Sequence, residues 1–153
     1  MIVIGAVHIA QYLATIAGLA GFDVTVVDPR RAFATPERFP QTKLLDLWPD
    51  KALKRLGLDA HTAVVALTHD AKLDEPALIA ALRSPAFYVG ALGSKKTHAA
   101  RLQRLQAAGL TAEQLQRIRA PIGLDLGGRS PAEIAIAIVA EAIQLWHRPP
   151  AAA

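Results

Sequence analysis

An apolar run, Met1-Ile2-Val3-Ile4, breaks at Gly5 into a helical pattern and returns at residues 22–27 as a second apolar run, stopped by Asp28-Pro29. Within 8–19, Ile9, Leu13, Ile16 and Ala17 fall on one helical face. Gly21 follows, a residue that tolerates the left-handed backbone at a helix end. Pro29 cannot donate to a central ladder, so the second strand ends before it. Two strands joined by so short a helix are parallel, with a right-handed crossover. This β-α-β opening restricts the chain to a small set of layered α/β architectures.

The alternation continues to the end. Strands are expected at 43–48, 63–68 and 86–92, and helices at 50–56, 73–82, 94–108 and 111–119. Thr111 with Gln114 has capping-box spacing. The last helix opens on Ser130-Pro131 with Glu133 three residues after the cap, and Pro149-Pro150 is expected to end it. Its apolar residues surround most of its circumference, which fits burial on the sheet and equally a homodimer contact. With 52% apolar and only 5% aromatic residues, the core is aliphatic, as parallel strands buried on both faces require. The expectation is α/β: a single doubly wound, mostly parallel, Rossmann-like domain over 1–148, with helices on both faces and a loose tail at 149–153.

No cysteine occurs, which excludes disulfides, thiolate catalysis and cysteine-ligated metal within the chain and fits a cytoplasmic, reducing compartment. The longest apolar stretch, 132–146, carries Glu133 and Glu141 and is too short for a bilayer; Met1–Gly5 has no basic region or cleavage site. The net charge of +4 invites nucleic acid, but the bases alternate with acids on helices and no aromatic stacking surface accompanies them. No membrane, nucleic-acid or metal role is expected.

Doubly wound sheets bind ligands outside the carboxyl ends of their strands. There the segment Gly5-Ala6-Val7-His8-Ile9-Ala10 keeps the first glycine of a dinucleotide fingerprint but puts β-branched Val7 where the backbone must approach a pyrophosphate. His8 opens the helix and would donate to a phosphate. Asp28, at the end of the second strand, stands where an acid takes ribose hydroxyls, and Arg30 where an arginine pairs with a 2′-phosphate. A plain Asp-Pro turn explains the same residues. His69-Asp70, after a strand, are candidates for acid–base chemistry, though sequence neighbours point apart. In Gly90-Ala91-Leu92-Gly93-Ser94-Lys95-Lys96 small residues open a helix whose amides and dipole favour an anion, beside a hydroxyl and two ammoniums. Finally, 120–129 is a glycine-rich but partly apolar loop holding Gly123, Asp125 and Arg129.

Taken together, these segments resemble the carboxyl-terminal domain of the XdhC/CoxI family, accessory factors of molybdenum hydroxylases such as xanthine dehydrogenase. The carriers are Gly5–Gln11, Val24–Arg30, Arg38-Phe39-Pro40, Leu67-Thr68-His69-Asp70, Tyr88–Lys96, Ala120–Gly127 and Ser130–Ala135, nearly the whole chain. The resemblance implies a chaperone that binds molybdenum cofactor, as molybdopterin or its dinucleotide, guards it during sulfuration and delivers it to a hydroxylase apoenzyme, without turnover of its own. A cysteine desulfurase is an implied second partner. It also implies that Gly5, Ala6, Val7 and His8 line the turn and that Asp28 takes a ribose or pterin hydrogen bond. Ser94, Lys95 and Lys96 hold phosphate, and Asp125 and Arg129 shape the mouth. Family members carry a further amino-terminal domain with cysteine, so this sequence reads as a fragment or as a single-domain relative. Two competing readings are an NAD(P)-dependent oxidoreductase, with His69 as proton donor, and a nucleotide-sensing module.

Overall fold

The computed structural model describes residues 1–148. Its elements are β1 (Ile2–Ile4), α1 (His8–Leu19), β2 (Thr25–Val27), β3 (Lys43–Leu45), α2 (Pro49–Leu56), β4 (Ala63–Ala66), α3 (Ala71–Leu82), β5 (Tyr88–Ala91), α4 (Lys95–Ala107), α5 (Ala112–Gln116), β6 (Ile118–Arg119) and α6 (Pro131–Trp146). All six strands form one sheet in the order β3-β2-β1-β4-β5-β6, and every pairing is parallel. This is the doubly wound topology read from the sequence, with the strand order reversing between β1 and β4.

The strands are buried on both faces, and alternate residues divide between two cores. Val3, Val26, Val65 and Tyr88 face α1 and α6, while Ile4, Val27, Val64 and Val89 face the layer of α2, α3 and α4. Leu13 and Ile138, fully enclosed where α1 meets α6, each contribute about 1.5–3 kcal/mol by leaving water. Both capping boxes form, Thr111 with Gln114 and Ser130 with Glu133.

Strands β3, β4 and β5 are shorter than the runs expected at 43–48, 63–68 and 86–92, and other boundaries differ as well. The helix expected through 119 stops at Gln116, and Ile118–Arg119 becomes an edge strand on Val89 and Gly90. Helix α3 begins at Ala71, two residues early, because Asp70 caps it by accepting the Lys72 amide at 2.9 Å. Residues 22–24 are not strand, since the Phe22 amide is used by Ala17 O in the turn closing α1. Helix α6 closes at His147, ahead of the two prolines, which with the expected tail at 149–153 lie outside the described residues. On α6, Ile136, Ile143 and Trp146 are exposed while Ala135, Ala137, Ile138, Val139 and Ala142 are buried, so the monomer uses one broad face of it.

Candidate functional site

Every candidate stretch lies at or beyond the carboxyl ends of the strands, but they do not form one cavity. The turn after β1 is bound tightly into the fold. Gly5 has φ +103°, and a Cβ there would collide with Thr68 Cγ2, so the β1 and β4 turns touch at the switch point. The Ala6 amide donates to Asp28 Oδ2 at 2.8 Å, and the Ala6 carbonyl accepts from Arg38 Nη1 at 2.8 Å. Val7 is the N-cap of α1 and supplies no side-chain cap.

Asp28 is wholly enclosed. Oδ1 accepts from the Arg30 amide and Nε, both at 2.9 Å, and Oδ2 from Ala6 and Arg30 Nη2, both at 2.8 Å. Burial opposes its ionisation, but the Arg30 fork and the two backbone donors outweigh burial and hold the carboxyl below its usual range. A ribose or pterin hydroxyl reaching this carboxylate must therefore displace a donor of this chain. Arg30 in turn lies over the Phe33 ring, 4.5 Å from its centroid.

His69 takes φ +61°, an uncommon backbone for a residue with a side chain, and its amide donates to Asp74 Oδ2 at 3.1 Å. Asp70 is engaged elsewhere: its Oδ1 caps α3, and Thr68 Oγ1 accepts the Asp70 amide. Asp74, buried and without a signal in the sequence, also takes the Thr68 amide and hydroxyl, the latter at 2.7 Å. Burial pushes its carboxyl above the ordinary value despite these donors.

The glycines of 90–96 have packing duties. A Cβ on Gly90 would meet Ile122 Cδ1 at 2.6 Å and Tyr88 Cε1 at 2.8 Å, so Gly90 is the seat of the 120–129 loop. Gly93, at φ +143°, lies against Thr97 and Arg101. Ser94 caps α4, its hydroxyl accepting the Thr97 amide at 3.1 Å. Lys95 and Lys96 are exposed at the first turn.

The structure does unite two of the predicted stretches. A groove of about 410 Å³ is lined by Lys95, by the loop from Pro121 through Gly123 and Asp125 to Gly128, and by Glu133, Ile134 and Ala137 at the start of α6. Glu141 holds this loop, accepting the Gly123 amide at 2.9 Å and the Tyr88 hydroxyl at 2.6 Å. The buried phenol is pushed far above its usual pKa, first by burial and then by that carboxylate. Arg129 is exposed beyond this groove, with its amide on Glu133. His8 lines a separate groove with Tyr12 and Arg38.

Sequence reasoning does not single out Arg38, Asp74, Arg101 or Glu141 as site-forming. Only Arg38 carries a signal, inside the Arg38-Phe39-Pro40 segment; the others sit in helices and act across the fold. Among the described residues no helix is long and apolar enough to cross a membrane.

The profile of the XdhC Rossmann domain matches residues 1–142. The chain is 34% identical over 132 residues to the molybdenum cofactor insertion chaperone PaoD of Escherichia coli K12, covering 86% of this chain and 35% of that protein. It is 33% identical over 137 residues to a probable subunit of xanthine dehydrogenase in Bacillus subtilis 168, covering 89% and 39%. A crystal structure described as a xanthine dehydrogenase from Bacillus halodurans matches with a TM-score of 0.82 at 30% identity, over 99% of this chain and 44% of that one. The chain thus spans less than half the length of these relatives.

Proposed function

The chain belongs to the family of the XdhC Rossmann domain, and from that premise we propose that it binds molybdenum cofactor and assists its maturation and insertion into a xanthine dehydrogenase-type hydroxylase. The observation that carries the reading is the groove in which Lys95, from the turn after β5, meets Gly123 and Asp125, from the loop after β6. An ammonium and helix-start amides at one end suit a phosphate. A carboxylate and loop backbone at the other suit the donors of a pterin edge. A volume near 410 Å³ lies within the range of small-molecule sites.

The cofactor supplies the redox chemistry of the hydroxylase; the residues here bind, orient and release. Without cysteine, this chain offers the metal no thiolate and grips the organic part of the cofactor. Lys95 and Lys96 neutralise phosphate charge, while Glu141, through Gly123, fixes the loop that lines the groove. NAD(P) is the less favoured ligand, because Asp28 is saturated by Arg30 and Ala6, and Val7 stands at the pyrophosphate turn.

Calorimetric titration in anaerobic buffer tests the proposal, with molybdenum cofactor, NAD and NADP as ligands. Cofactor binding that weakens in the Lys95→Ala/Lys96→Ala double variant is the expected result. Tight binding of NAD or NADP with none of molybdenum cofactor would sink it.

A further inference from the structure

Two buried side-chain polar atoms lack a hydrogen-bond partner among the described residues, His98 Nδ1 and Arg101 Nη1, and both lie on α4. Orphaned polar groups are rare in folded proteins, so two on successive turns of one helix call for an explanation. Arg101 is 3% exposed, and a guanidinium stays charged in proteins. Its Nη2 donates to Leu92 O at 2.9 Å and lies 3.6 Å from where a Cβ on Gly93 would stand. The charge therefore sits directly beneath the turn from which α4 starts. Asp74 and Glu75 act on Arg101 only through space, and Glu75 is already paired with Arg104. Burial first, and then the Arg101 charge, favour the neutral imidazole of His98, which adds no competing cation.

We infer that Arg101 is the positioning cation of a phosphate site at the β5–α4 turn: it fixes the turn through Leu92 O and sets beneath it a buried positive charge whose Nη1 has no hydrogen-bond partner and which Asp74 and Glu75 offset only through space. Resting on the reading of this turn as the anion end of the proposed site, the inference names its ligand class as a phosphate monoester or diphosphate. Three sources of positive potential converge there: the helix dipole, two exposed ammoniums and one desolvated guanidinium. The buried charge is the strongest of them per unit, because solvent and salt screen it least.

The test is titration of the full chain with inorganic pyrophosphate, followed by calorimetry and by ¹H–¹⁵N spectra. The amides of Ser94 to Thr97 and the Arg101 Nε–H signal are expected to shift together and saturably. Arg101→Met, which keeps the stem and removes the charge, is expected to weaken binding about tenfold, and Arg101→Lys to stay within about threefold of wild type. A purely structural strap predicts equal losses in both variants, and that result overturns the inference. So does saturation that maps elsewhere, or none below about 10 mM. If Arg101→Met does not fold, an unmoved Arg101 Nε–H signal in the wild type is equally fatal. The larger proposal fails separately: pyrophosphate bound without molybdenum cofactor removes the function and keeps the phosphate site. Cofactor bound equally by wild type and Arg101→Met does the reverse.

Discussion

The carboxylate of Asp28, closed in at the end of β2, accepts the amide of Ala6 at 2.8 Å across 22 positions of chain. That bond joins the turn after β1 to the strand beside it, and the fork from Arg30 completes the enclosure. The residue pattern that suggests ribose recognition thus also builds the turn.

Asp28→Asn is expected to cost about 1.5–3 kcal/mol, because the amide opposes one donor of the Arg30 fork and leaves a buried group unsatisfied. The folded carboxyl titrates below the ordinary 3.8, so its stabilisation is complete above the unfolded pKa and disappears as pH falls through the folded one. Urea unfolding from pH 7 to pH 2 should show a steeper acid loss for wild type than for the variant. Parallel acid limbs would contradict this assignment.

Gly123 and Gly127 both have positive φ, +86° and +76°, but only one is crowded. A Cβ on Gly123 would stand 3.0 Å from Ala137 C, Ala137 Cβ and Ile138 N, whereas Gly127 has open space. Gly127→Ala should cost about 1–2 kcal/mol of backbone strain, and Gly123→Ala about 1–3 kcal/mol more, since α6 backbone cannot yield. Thermal melts that rank the two equally would remove the close packing of loop on helix.

Among the described residues, Tyr88→Phe leaves Glu141 with only the Gly123 amide. The expected loss is about 1–2 kcal/mol. It should come with faster hydrogen exchange at Gly123 and Leu124, whose amides hold the loop to Glu141 and to Ala137 O. Global destabilisation without local acceleration would show that the phenol serves the core and not the loop.

The legible part of this protein is whatever local pattern determines. Apolar runs mark five strands, and Ser130-Pro131 with Glu133 marks the start of α6 without any knowledge of packing. Strand β6 escapes because Ile118–Arg119 has no strand signal of its own; it is extended by pairing with Val89 and Gly90. The site is half legible for the same reason. Lys95 and Asp125 stand out by their neighbours, but Glu141 reaches Tyr88 across 53 positions and Arg38 reaches Ala6 across 32, separations no spacing rule covers. The packing of Ile122 against Gly90 is likewise invisible in the sequence, since the two are about 30 positions apart.

Lys95 and Lys96 are exposed, so removing them tests function apart from stability. The double variant Lys95→Ala/Lys96→Ala is expected to unfold within about 0.5 kcal/mol of wild type, as surface substitutions away from caps and core do. Ser94, which caps α4, is untouched by the change. Exposed ammoniums bind anions through screened charge, so wild-type affinity for pyrophosphate should fall as potassium chloride rises from about 0.05 to 0.3 M. The double variant should bind more weakly at low salt and depend less on salt, because the buried Arg101 charge remains. Calorimetry at the two salt concentrations checks both slopes. Identical slopes would mean that the lysines lie outside the anion's field, and the phosphate would have to be sought in the separate groove at the uncapped start of α1, beside His8.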